Sequence, residues 1–125
     1  MGTSKLEHHK SILIVDDLPF VRKKIKEVLR MVGYHIAGEA SDGLEGLNMI
    51  RQLKPDLVLL DITMPKMDGL QVLKQLDKSQ KVIMCSSLGE EKYILTAIKW
   101  GAMDFIVKPF TDERLIRAVH NVLSR

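Results

Sequence analysis

At 125 residues, with 46% hydrophobic and 28% charged residues, the chain has the length and composition of one soluble globular domain and is too short for two ordinary ones. Its net charge of +3 is spread over 19 basic and 16 acidic residues with no concentrated basic arm, which argues against nucleic-acid binding. No apolar run approaches the ~20 residues that cross a bilayer, there is no secretory signal, and the single Cys85 excludes an internal disulfide and fits a reducing cytoplasm.

Met1 to Lys10 is polar and aperiodic and reads as a disordered tail, leaving residues 11–125 as the folded domain. Ser11-Ile12-Leu13-Ile14-Val15 is a buried strand that runs into Asp16-Asp17. Pro19 suits a first helical turn, where no amide donor is missed. Val21, Ile25, Val28, Leu29 and Val32 then recur at helical spacing, and Gly33 stops the helix. Tyr34 to Ala40 is a strand of mixed character, suited to a sheet edge. Ser41-Asp42-Gly43 starts a second helix with Leu44, Leu47, Ile50 and Leu53 as its stripe, broken before Pro55.

Leu57-Val58-Leu59-Leu60 is a strand buried on both faces, and Asp61 stands at its carboxyl end. Pro65 and Asp68-Gly69 signal a turn, and Leu70, Val72, Leu73 and Leu76 define a short third helix. Lys81-Val82-Ile83-Met84-Cys85 is a fourth strand, ending in Ser86-Ser87. Glu90 and Glu91 favour a helix N-terminus, which Ile94, Leu95, Ala97 and Ile98 carry on to Gly101. Asp104-Phe105-Ile106-Val107 is a fifth strand, followed by Lys108-Pro109. Thr111 caps the last helix, with Leu115, Ile116, Val119, Val122 and Leu123 facing inward. The alternation is (βα)5, which calls for a doubly wound parallel sheet with right-handed crossovers.

In such a sheet the carboxyl ends of the strands share one edge, where ligands bind. Asp16, Asp17, Asp61, Ser86 and Lys108 all fall there. Three carboxylates at ~5 Å repel by ~3 kcal/mol per pair at an effective dielectric of ~20. Lys108 offsets one charge, and a divalent cation offsets two more. Magnesium, which takes one or two carboxylates and shares a phosphate oxygen, fits better than calcium. Zinc does not fit, because His8 and His9 lie in the tail and no other His or Cys stands at ligand spacing. Carboxylate, cation, hydroxyl and ammonium together suit phosphoryl transfer to Asp61, with Ser86 donating to the transferred group.

Val15-Asp16-Asp17, Leu60-Asp61-Ile62-Thr63-Met64-Pro65, Met67-Asp68-Gly69, Cys85-Ser86-Ser87 and Val107-Lys108-Pro109-Phe110 resemble the response-regulator receiver domain over Lys10 to Arg125. The resemblance implies a flavodoxin-like sheet of order 2-1-3-4-5, with Asp61 as the phosphoacceptor. It implies metal binding by Asp16, Asp17, Asp61 and the Thr63 carbonyl, a switch hydroxyl at Ser86, a phosphoryl-binding Lys108 after a cis peptide, and a switch aromatic at Phe105. Two departures are visible, Ser86 where Thr is commoner and Phe105 where Tyr is frequent.

The segments Val82 to Gly89 and Gly101 to Phe110 are most similar to stand-alone chemotaxis response regulators. The implied partners are a histidine kinase as phosphodonor, a flagellar motor switch protein or another output protein, and a phosphatase; the implied output face carries Ile94, Phe105 and Val107, with Trp100 beside them. The implied role is a cytoplasmic signalling phosphoacceptor that catalyses only its own phosphorylation and dephosphorylation. Other output classes remain as alternatives: a phosphorelay intermediate, or a receiver cut from a DNA-binding or methylesterase regulator. A haloacid-dehalogenase-type phosphatase needs a second Asp two positions after the nucleophile, where Thr63 stands. A flavodoxin needs a hydroxyl- and glycine-rich phosphate loop, and Asp16-Asp17-Leu18-Pro19-Phe20 is acidic.

Overall fold

In the computed structural model, which describes residues 9–125, strands and helices alternate along the chain. The tail expected over residues 1–10 lies, for residues 1–8, outside the described residues. The elements are β1 (Ser11–Val15), α1 (Pro19–Met31), β2 (His35–Ala40), α2 (Gly43–Leu53), β3 (Leu57–Leu60), α3 (Gly69–Lys74), β4 (Val82–Ser86), α4 (Glu91–Lys99), β5 (Asp104–Val107) and α5 (Asp112–Leu123). The five strands pair in parallel in the order β2-β1-β3-β4-β5. The mixed strand β2 is an edge, and β1, apolar after Ser11, and the all-apolar β3 lie inside, as their composition requires.

Period-two alternation divides the core into two layers. Ile12, Ile14, Leu57, Leu59, Ile83, Cys85 and Ile106 face α1 and α5. Leu13, Val15, Val58, Leu60, Val82, Met84 and Phe105 face α2, α3 and α4. The helix ends carry the expected chemistry. Pro19 opens α1, Asp42 caps α2 by accepting from the Glu45 N–H, and Thr111 caps α5 by accepting from the Arg114 N–H. The turn read at Asp68-Gly69 proves to be a cap as well. Asp68 and Gln71 form a reciprocal capping box that starts the six-residue α3.

Two apolar stripes are narrower than their spacing suggests. In α2, Leu47 and Ile50 are buried, whereas Leu44 and Leu53 at the ends of the stripe stay exposed. In α4 only Ala97 is buried, and Leu95 and Ile98 are 60% and 48% exposed. At about 100° per residue, Ile94, Ile98 and Leu95 lie about 60°, 100° and 160° round the helix from Ala97, and their exposure rises in that order. A helix packed near the sheet edge covers too little of the sheet to bury more.

Candidate functional site

Parallel pairing brings the ends of β1, β3, β4 and β5 to one edge, as expected. The Asp16 N–H donates to the Ala40 carbonyl at 3.0 Å and the Asp61 N–H to the Val15 carbonyl at 2.9 Å, so each strand end is tied to its neighbour. Carboxylate oxygens of Asp16, Asp17 and Asp61 then lie within 4.8 Å of one another. Lys108 reaches in from the end of β5. Its Nζ donates to Asp16 Oδ2 at 2.6 Å and to Asp61 Oδ2 at 3.3 Å. The Lys108 N–H donates to the Ser86 carbonyl at 2.9 Å, locking β5 to β4, and the Lys108–Pro109 peptide is cis.

Asp16 and Asp61 are buried and Lys108 is nearly so. Burial pushes the Asp61 carboxyl above the usual carboxylate range. The Lys108 charge opposes this, and Asp16 adds to it. For Lys108, burial alone would lower the ammonium's pKa, but the hydrogen bond to Asp16 and the charges of Asp61 and Asp16 outweigh it and raise it. Three carboxylates against one ammonium leave a deficit of positive charge in a cluster of hard oxygen donors. Among the described residues the Asp17 carboxylate has neither a hydrogen bond nor an ion pair. The donor set therefore fits a divalent cation of the magnesium type.

Ser86 is fully buried at the end of β4, its Oγ accepting from the Leu88 N–H at 3.2 Å. Thr63 is exposed on the loop after Asp61. Phe105 corrects an expectation. It is 8% exposed and packed into the layer under α4, so in this conformation it offers nothing to a partner. Of the other expected face residues, Val107 is exposed and Ile94 half-buried. Trp100, also half-buried, carries the Lys74 ammonium 5.0 Å from its ring centre.

Sequence reasoning missed Arg22, whose Nη1 donates to the Asp16 carbonyl at 2.5 Å. A charged residue one turn into an amphipathic helix gives no signal of this. It missed Leu95 and Ile98 as surface residues for a similar reason, since apolar spacing was read as burial.

Cys85 lies in the layer beside this edge, and burial pushes its thiol up to about 12. We expect no reaction of the native protein with a thiol-specific disulfide reagent at neutral pH, and one equivalent on unfolding. Rapid modification of native protein would contradict the buried, packing role.

The fold and site define a doubly wound α/β domain with a carboxylate-and-lysine cluster at the carboxyl edge of its sheet. The response regulator receiver domain model matches residues 12–120, and the chain belongs to that family, one of signalling domains and not of classical enzymes. Chemotaxis protein CheY of Thermotoga maritima is 44% identical over 116 residues, covering 90% of this chain and 97% of that protein. Its counterpart from Listeria monocytogenes is 48% identical over 111 residues, covering 86% and 93%. Among solved structures, the CheX–CheY–BeF3–Mg complex from Borrelia burgdorferi superposes with a TM-score of 0.89 at 36% identity, covering 93% of this chain and 90% of that one.

Proposed function

We propose that residues 11–125 form a phosphorylation-activated switch of a two-component system, with Asp61 as the phosphoacceptor. The observation that carries this is the buried Asp61 carboxylate at a strand end, facing two further carboxylates and Lys108. A phosphohistidine of a histidine kinase is the donor. An Asp61 oxygen attacks phosphorus, a P–O bond forms as the P–N bond breaks, and the donor's ring, protonated from solvent on its other nitrogen, leaves with the bonding pair as neutral imidazole. Lys108 releases part of its hold on the carboxylates and turns its ammonium to the arriving oxygens, and Ser86 donates its hydroxyl to one of them. Asp17, Asp61 and the Thr63 carbonyl would hold Mg2+ directly, and Asp16 through water. When bound, the ion neutralises phosphoryl oxygens as charge develops.

Burial of the cluster supports a test by stability. Mg2+ at millimolar concentration should raise the melting temperature of the wild type, since a ligand of the native state stabilises it by mass action. Asp17→Asn should lose most of that rise. An equal rise in both proteins would place the ion elsewhere.

The output we assign is binding to a flagellar motor switch protein in the cytoplasm. The similarity to chemotaxis proteins favours it over a phosphorelay, DNA-binding or methylesterase context. The Borrelia complex, held with beryllofluoride, magnesium and a partner, supports partner binding in a phosphoryl-like state. Output would pass through the α4–β5–α5 face, where Ile94 and Val107 sit with Trp100 and with the exposed Leu95 and Ile98. Beryllofluoride should tighten binding of a motor-switch peptide about tenfold or more, and Ser86→Ala should remove most of that gain. Each charge-assisted hydrogen bond is worth ~1.5–3 kcal/mol, and ~1.4 kcal/mol is a factor of ten. An undiminished gain in Ser86→Ala would rule out the hydroxyl as the relay.

A further inference from the structure

Every polar group of Asp16 has a partner. Its N–H donates to the Ala40 carbonyl at 3.0 Å, its Oδ1 accepts from the Leu18 N–H at 3.0 Å, and its Oδ2 accepts from Lys108 at 2.6 Å. The last group, the carbonyl, accepts from Arg22 Nη1 at 2.5 Å. That carbonyl belongs to the planar peptide joining Asp16 to Asp17, so rotating it re-aims the Asp17 carboxylate. Arg22 is itself braced. Its Nε donates to Glu39 Oε1 at 2.9 Å, and Glu39 Oε2 accepts from Lys26. Lys26 lies one helical turn beyond Arg22 on α1 and makes no hydrogen bond or ion pair with Asp16. Only a guanidinium, with donors in a fixed planar fork, serves the edge strand and the acidic turn together.

We propose that Arg22, braced by Glu39, is a positioning residue for the acidic cluster: it sets the Asp16–Asp17 peptide so that Asp17 converges on Asp16 and Asp61. This rests on the reading above that the three carboxylates hold a divalent cation. Simple electrostatics predicts the opposite sign for its loss. Removing a positive charge beside a cation site should strengthen cation binding. Removing a residue that orients a ligand should weaken it.

The test is titration of the metal-free protein with Mg2+, followed by calorimetry and by the backbone amide shifts of Asp17 and Asp61, with melting in chelator reporting the fold. Arg22→Met should weaken Mg2+ binding about tenfold or more despite losing a positive charge. Lys26→Met loses the same charge and its own bond to Glu39 but keeps the Arg22–Glu39 and Arg22–Asp16 bonds, and should bind Mg2+ as tightly as wild type or more tightly. Arg22→Lys keeps the charge but has one head for two partners, and should also weaken binding; it carries the test if Arg22→Met melts too low to titrate. Wild-type or tighter binding by either Arg22 variant overturns the proposal, as does equal weakening by Lys26→Met. Failure of the underlying reading shows separately, as wild-type protein without saturable binding that Asp17→Asn removes.

Discussion

Asp61→Asn should accept no phosphoryl group from acetyl phosphate or a phosphorylated histidine kinase, and in chelator it should melt higher than wild type. The two effects have different causes. The amide is nearly isosteric but a poor nucleophile, so chemistry stops while the fold persists. The stability gain follows from the charges. Asp61 is buried within 4.8 Å of two like charges and has one ammonium at 3.3 Å. At an effective dielectric of ~20 each repulsion is worth ~3.5 kcal/mol and the attraction ~5 kcal/mol, so ~2 kcal/mol of repulsion is left uncompensated. The Asn Oδ1 can keep the Ile62 N–H, which Asp61 Oδ1 now accepts at 2.7 Å, but its amide group then faces Lys108. A net gain of about 1–2 kcal/mol remains, or several degrees of melting temperature for a domain this size.

The pH dependence carries the sign. Burial raises the Asp61 pKa above its unfolded value, so the folded state binds the proton more tightly. Stability from this group is greatest below the unfolded pKa and falls as pH rises through the folded one. The advantage of Asp61→Asn over wild type should therefore open across that window and stay open at neutral pH. A phosphoryl group found on Asp61→Asn by mass spectrometry would move the acceptor elsewhere, and a lower melting temperature in chelator would refute the charge balance.

Gly69→Ala should be strongly damaging for a single added methyl. A Cβ there would lie 1.9 Å from the Asp61 carbonyl oxygen and 2.7 Å from its carbonyl carbon. Both are backbone atoms of the strand end that carries the acceptor, so neither can rotate aside. The Gly69 N–H also donates to the Ile62 carbonyl at 2.7 Å, which holds α3 tight against that strand end. Overpacking against side chains costs about 1–3 kcal/mol, and a collision with backbone should reach or exceed the top of that range. Relief requires α3 to lift or β3 to shift, and either displaces Asp61. We expect a melting temperature lower by about 10 °C or more and slower phosphorylation in whatever fraction remains folded. Denaturant unfolding and acetyl phosphate kinetics would measure both. A Gly69→Ala protein with wild-type stability would mean that this approach is not rigid.

The order of elements, the parallel class and the two-layered core were all legible in the amino-acid order. Apolar runs, helical spacing and punctuation by Pro19, Gly33, Asp42 and Thr111 are local properties that a chain carries wherever it folds. The convergence of Asp16, Asp17, Asp61, Ser86 and Lys108 on one edge followed from topology, because parallel strands point their carboxyl ends the same way. The family resemblance added the strand order; it put a cis peptide before Lys108, whereas the cis bond follows that residue, at Lys108–Pro109, where the tertiary amide of proline makes it accessible. Tertiary structure decided the rest. It set Lys108 closer to Asp16 than to Asp61, a contact spanning 92 residues of chain. It turned Phe105 inward, left Leu95 and Ile98 in solvent, packed Gly69 onto the Asp61 carbonyl and brought Arg22 to the Asp16 carbonyl. Each of these depends on how far a helix sits from the sheet and how it is rotated over it. Periodicity marks which face of a helix is apolar, but only packing determines how much of that face the sheet can cover and which distant backbone atom its charged side chains meet.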